Sequence, residues 1–161
     1  MLSINMKKNL VIDLPAEQAT EQVAKRFASF LVSPLVLTYR GEIGAGKTTF
    51  IRAMLRALGV NSAIKSPTFS LVESYSTLHL QIHHFDLYRI NDEAELDYIG
   101  FRDYFAENAI CCIEWPERAA HYLDRVDVGF TLVTKGAGRE LNAQALSSAG
   151  VELLSCLAGE Q

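Results

Sequence analysis

The sequence predicts an α/β fold with a mixed, mostly parallel central sheet, helices on its flanks and a β-hairpin towards its C-terminal end. Three observations carry this expectation. Apolar strand-like runs alternate with helix-period segments early in the chain. A glycine-rich loop, GEIGAGKT at 41–48, joins the run LVLTY to the helix-like KTTFIRAMLRALG. Hairpin patterns with polar turns then dominate the later part.

The elements follow in order. NLVIDLP (9–15) reads as a short strand closed by proline. AEQATEQVAKRFASFL (16–31) places Ala19, Val23, Phe27 and Leu31 at spacings of four, an amphipathic helix. Ser33-Pro34 breaks it, and LVLTY (35–39) is an apolar strand running into the glycine loop. Residues 47–59 form a helix with Phe50, Met54, Leu55 and Leu58 on one side and Gly59 as its stop. FSLVESYS and LHLQIHHFDLY read as two strands of a hairpin. NDEAELDYIG starts a short helix, with Asp92 and Glu95 spaced as a capping box. AICCIEW is a buried strand, VDVGFTLVTKGAGRELNAQAL a hairpin turning at Lys135–Gly138, and a short helix ends at Leu157.

Composition bounds the function. A length of 161 residues suits one domain spanning 1–161, and 49% hydrophobic with 21% charged residues is ordinary for a soluble protein. The apolar runs are too short to cross a bilayer, so no membrane association is expected. In MLSINMKKN, two lysines are followed by Asp13 before any signal-like core develops, which points to a cytoplasmic protein. The three cysteines lack framework or metal-site spacing; adjacent Cys111 and Cys112 should point to opposite faces of a strand. A net charge of −4, without a basic run beyond Lys7-Lys8, argues against direct gripping of DNA or RNA.

The loop carries the chemistry. G41-E-I-G44-A-G46-K47-T48 fits G-x-x-x-x-G-K-[ST] between a strand and a helix, the setting that pattern requires. The fold expected is therefore that of a phosphate-loop (P-loop) NTPase. Backbone N–H groups of Glu42, Ile43, Gly44, Ala45 and Gly46 can converge on phosphate oxygens where side chains are absent or turned away. The helix that follows aims the positive end of its dipole at the same anion. Lys47 is expected to bridge the β- and γ-phosphates of ATP, Thr48 to hold Mg²⁺, and Thr49 to reach the α-phosphate.

Phosphoryl transfer also needs a carboxylate at a neighbouring strand end. Asp86 closes LHLQIHHFD and Glu114 closes AICCIE, and both are expected as acidic site residues and Mg²⁺ ligands. His79, His83 and His84 could suggest a metal cluster, but His83 and His84, adjacent on a strand, face opposite sides and cannot easily share one ion; a structural or hydrogen-bonding role is expected. His121 has no evident partner. SPTFSLVESY (66–75) is either a mobile switch segment or a proline-started edge strand, and Trp115 either belongs to the core or covers the site.

GEIGAGKTTF, SPTFSLVESY, HFDLYRI and IEWPER, in this order and spacing, resemble the bacterial TsaE family. The similarity spans almost the whole chain. It implies an ATPase needed for threonylcarbamoyladenosine at position 37 of tRNAs that read codons starting with A. It further implies work through a TsaD–TsaB complex, with tRNA met only indirectly, which suits an acidic chain. Carried over by motif, Lys47 and Thr48 bind phosphate and Mg²⁺, Asp86 and Glu114 are the acidic residues, and Trp115 lies beside the nucleotide. Thr20 and Arg139 match stretches that flank the base.

The main rival is a small-molecule kinase of the same loop class. Such kinases usually begin at the loop strand and carry an arginine-rich lid, whereas here a strand and a helix precede the loop. A GTPase-like switch lacks support because no N-K-x-D element occurs. A pure nucleotide-binding module is opposed only by Asp86 and Glu114. No arginine is identifiable in the sequence as a charge-stabilising group in cis, so slow hydrolysis accelerated by a partner is expected.

Overall fold

The computed structural model describes residues 8–159. Met1 to Lys7, which include the first lysine of the Lys7-Lys8 pair and most of the segment tested for a signal, lie outside the described residues. Seven strands among the described residues make one sheet: β1 (Asn9–Leu14), β2 (Leu35–Arg40), β3 (Val72–Ser76), β4 (Gln81–Asp86), β5 (Ala109–Glu114), β6 (Val128–Lys135) and β7 (Gly138–Ala145). Their order is β1-β7-β6-β2-β5-β4-β3. The central pairs β6–β2, β2–β5 and β5–β4 are parallel, while β1–β7, β6–β7 and β3–β4 are antiparallel. All strands except β3 and β7 therefore point the same way. The fold is a mixed, mostly parallel α/β sheet that ends in a β-hairpin.

The helices are α1 (Glu17–Ala28), α2 (Lys47–Ala57), α3 (Glu95–Tyr98) and α4 (Ser148–Leu157), with 3-10 turns at Phe101–Tyr104 and Pro116–Ala119. Helix α1 stops three residues before the predicted end. The Ser29 hydroxyl donates to the Arg26 carbonyl at 2.6 Å, and its N–H closes on Lys25, turning the chain before Leu31. Phe27 is buried as predicted, with Thr20, Ala24 and Ala28 beside it, while Ala19, Val23 and Leu31 pack partly buried against the same core. Helix α2 ends as predicted at Gly59, whose N–H donates to Arg56 while Val60 donates to Leu55, the paired bonds of a Schellman cap.

The predicted capping box at Asp92 forms by half. Glu95 Oε2 accepts from the Asp92 N–H at 3.2 Å, but Asp92 Oδ1 takes the N–H of Ala94, so the turn tightens by one residue. The strand expected from Phe69 begins instead at Val72. Residues 67–70 are a turn closed by the Leu71 N–H on the Pro67 carbonyl, and Leu71 itself adopts a φ of +67°.

Two apolar clusters cover the two faces of the sheet. Leu35, Leu37, Tyr39, Ile82, Ile110 and Cys112 face α1, α2 and α4, whereas Val36, Phe85, Cys111 and Ile113 face the α3 side. The two cysteines thus point apart, and burial pushes both thiols up to about 12. Beneath the loop, Phe27, Tyr39, Phe50 and Phe130 interlock with ring centroids 4.9 to 6.1 Å apart. Each such pair adds about 0.5–1.5 kcal/mol beyond its buried area. The loop and the start of α2 therefore stand on a rigid floor.

Candidate functional site

The even-numbered face of β4 and β5 looks towards the start of α2, and the strand register aligns Asp86 with Glu114. Both carboxylates stand at the C-terminal ends of parallel strands, where α/β sheets bind ligands. The loop between β2 and α2 brings Lys47 and Thr48 against them. Thr48 Oγ1 lies 3.0 Å from both oxygens of Glu114. Glu114 also accepts from His84 Nε2 at 2.6 Å. Asp86 accepts from the Tyr88 N–H at 3.1 Å and from the Thr68 hydroxyl at 3.4 Å.

Lys47 donates from Nζ to the carbonyls of Gly41 and Glu42 and lies 4.5 Å from the centre of the Trp115 ring. Burial lowers the Lys47 ammonium from its usual range, and Glu114, Asp86 and Glu117 pull it back up. Burial raises the Asp86 carboxyl; the Tyr88 N–H opposes that, and the Glu114 charge adds to it. Trp115 has a φ of +59°, a left-handed backbone held by its own N–H on the Tyr39 carbonyl at 3.3 Å. It is half-buried against Tyr88 at 5.0 Å, and so it borders the cleft rather than filling the core.

The glycines of the loop do different work. A Cβ on Gly41 would fall 2.6 Å from the Leu132 carbonyl, so Gly41 permits the loop to lie against β6. Gly44, at φ +81°, has nothing within 4 Å of a would-be Cβ and leaves the cleft wall bare. An anion can reach the backbone there.

A cleft of about 420 Å³ gathers Ile43, Gly44, Gly46, Lys47, Thr48, Thr49, Thr68, Asp86, Tyr88, Arg89, Glu114, Trp115 and Arg139. A second cavity of about 300 Å³ adjoins it, lined by Thr20, Ala45, Gly46, Thr49 and Arg139 among others. Gly46, Thr49 and Arg139 border both. Of the residues singled out from sequence, Thr20 and Ala45 line only the second cavity. Glu42 contributes its backbone carbonyl alone. The first space holds Lys47 and the two acids, and the second lies between α1 and β7.

Hard oxygen donors suit a small divalent cation. Thr48 and Glu114, already in contact, offer them beside the loop, with Asp86 at the next strand end. The donor set therefore fits a small, hard cation such as Mg²⁺. Sequence reasoning missed Thr68, Tyr88 and Arg89. Position offered a signal for the last two, which directly follow the Asp86 strand end. Arg139, expected near the base, and Arg89, which the sequence did not single out, both line the cleft. The Arg89 guanidinium stacks on Phe69 at 4.1 Å, and Arg139 donates to the Gly44 carbonyl at 3.0 Å. His121 does have a partner, the Glu93 carboxylate at 2.9 Å, on the surface away from the cleft. His83 and His84 face apart as expected, His83 meeting Ser74 and Tyr104.

A parallel sheet, a glycine loop leading into a helix, and two acids at neighbouring strand ends define a P-loop NTPase fold. The sequence profile of "Threonylcarbamoyl adenosine biosynthesis protein TsaE" matches residues 14–145. The chain is 35% identical over 147 residues to the tRNA threonylcarbamoyladenosine biosynthesis protein TsaE of Haemophilus influenzae, covering 88% of this chain and 93% of that protein. Against the protein of the same name from Bacillus subtilis it is 38% identical over 134 residues, 81% of this chain and 82% of the other. The crystal structure of Bacillus YdiB superposes with a TM-score of 0.80 at 26% identity, covering 97% of this chain and 98% of that one. The chain belongs to the TsaE family. Among the described residues, no helix is long and apolar enough to cross a membrane.

Proposed function

We propose that this chain is a cytoplasmic, Mg²⁺-dependent ATPase that supports formation of threonylcarbamoyladenosine at position 37 of tRNA, working with TsaD and TsaB. The observation that carries the reading is the contact of Thr48 with Glu114 at the mouth of the glycine loop. It joins a phosphate-loop hydroxyl to a strand-end acid, the pairing that metal-assisted phosphoryl transfer uses.

In this reading the loop N–H groups and Lys47 hold the phosphates, and Lys47 exchanges its carbonyl partners for phosphate oxygens. Thr48 and Glu114, with Asp86 beside them, hold Mg²⁺, which when bound neutralises charge developing on the phosphoryl oxygens. Either acid can orient the attacking water. Trp115 covers the phosphate end, and Thr20 with Arg139 borders the base. Arg89, on the cleft wall and stacked on Phe69, is a cation that can meet the transferred group. A net charge of −4 favours action through a protein partner over a direct hold on tRNA.

Reconstitution tests the reading. Threonylcarbamoylation of tRNA by TsaD, TsaB and the enzyme supplying the activated group is measured with and without this chain, then with Lys47→Ala. Sustained product formation that needs the unsubstituted chain supports the proposal. A small-molecule kinase in its place leaves the reaction unsupported.

A further inference from the structure

His84 is the least expected neighbour of the site. It sits on β4 opposite Cys112, one step back from the Asp86–Glu114 pair and on the same face of the sheet. Its side chain is 1% exposed and that of Glu114 3%. The 2.6 Å separation from Nε2 to Glu114 Oε2 is short for a nitrogen–oxygen bond, as charge assistance makes it. Because the acceptor is a carboxylate, Nε2 carries the proton. The other ring nitrogen, Nδ1, is buried and finds no hydrogen-bond partner among the described residues.

That imbalance is informative. A buried polar atom without a partner in the protein is a cost usually met only where another role requires it. An apolar residue would fill this sheet position without it. The ring is committed to one bond, and that bond goes to the acid beside the phosphate loop.

The consequence for Glu114 is geometric. The last torsion of a glutamate is broad and roughly two-fold, so an untethered carboxylate samples many orientations. Thr48 cannot fix it alone, since its hydroxyl is equidistant from both oxygens. His84 removes the ambiguity. Oε2 is engaged by both His84 and Thr48, and Oε1 by Thr48 only, so Oε1 keeps the greater free acceptor capacity.

We propose that His84 is a positioning residue that clamps Glu114 through Oε2 and presents Oε1 to the reacting end of the nucleotide. The inference rests on the hydrolytic reading given above. It predicts a defect in turnover rather than in nucleotide binding, since His84 is behind Glu114 and not on the cleft wall.

The test uses the full chain with Mg-ATP, with TsaD and TsaB added to raise turnover. A glutamine amide nitrogen reaches the place of Nε2; an asparagine amide reaches only that of Nδ1. His84→Asn should lower kcat about 10–100-fold, as loss of a supporting bond to a site ligand does, with KM nearly unchanged. His84→Gln should restore most of the loss. In a Glu114→Gln background, His84→Asn should cost nothing more, because the two act as one unit. Melting temperatures of all variants are measured in parallel. Wild-type kcat in His84→Asn overturns the proposal, as do multiplicative losses in the double variant. Equal losses in the Asn and Gln variants that follow melting temperature overturn it too. Absence of any Mg-dependent hydrolysis by the unsubstituted chain is a different failure: it sinks the hydrolytic reading itself, and this inference with it.

Discussion

Thr48 and Glu114 come from elements far apart in sequence, yet one hydroxyl lies 3.0 Å from both carboxylate oxygens. In the proposed function that hydroxyl is an oxygen ligand of Mg²⁺. Thr48→Ala is expected to abolish Mg²⁺-dependent ATP hydrolysis, and Thr48→Ser to keep most of it. Phosphate release at saturating Mg-ATP reads both; unchanged activity in the alanine variant refutes the assignment.

The Lys47 ammonium over the Trp115 ring provides an optical handle. Nucleotide phosphates should draw Lys47 away and change the surroundings of the chain's one tryptophan. ADP titration is expected to shift Trp115 emission in a saturable way, and Lys47→Ala to weaken or erase the response. A flat titration at saturating ADP counts against nucleotide contact.

Asp86 gives a pH dependence whose sign follows from burial. Its carboxyl is raised above the ordinary range, so the native state binds that proton more tightly than the unfolded chain does. Stability from this group is therefore greatest at low pH and falls as pH rises from the ordinary carboxylate value through the raised one. Asp86→Asn should accordingly melt higher than the wild type at pH 7, and the gain should vanish below about pH 4, where the unfolded Asp is also protonated. The same variant should lose hydrolysis. A melting point lowered equally at both pH values contradicts the assignment.

Asp127 is completely buried and ties three segments together. It accepts from the Val36 N–H at 2.8 Å, the Ser147 hydroxyl at 2.6 Å and Arg125 Nε at 2.9 Å. Asp127→Ala strands those donors and should cost about 3 kcal/mol in denaturant unfolding. Nucleotide affinity in the folded fraction should be unaffected, because the residue lies at the far end of β2 from the loop. A loss below 1 kcal/mol would show that the donors find water instead.

Much of this was legible in the sequence because it is local. The glycine loop, the strand-end acids, the opposed cysteines and the Gly59 cap each follow from a few adjacent residues. What was not legible is pairing at a distance. Nothing in NLVIDLP says that β1 joins β7, and nothing around Asp127 announces that Val36 and Ser147 will donate to it. Arg139 could be placed only by resemblance, and its hold on Gly44 spans 95 residues. Arg89 escaped notice because a lone arginine after a strand looks like any surface cation. Helix α1 was drawn too long because Leu31 continues a four-residue spacing that the Ser29 hydroxyl bond cuts short.

The bond from Arg139 to Gly44, and the contact of Gly41 with Leu132, also set an order of events during synthesis. The phosphate loop leaves the ribosome early, but the hairpin that braces it leaves much later, and β1 has no strand to pair with until β7 arrives. A growing chain thus carries an unbraced grip and an unpaired opening strand through most of translation. Contacts of such long range fold slowly. A ligand of the cleft therefore stabilises the finished fold rather than guiding its assembly.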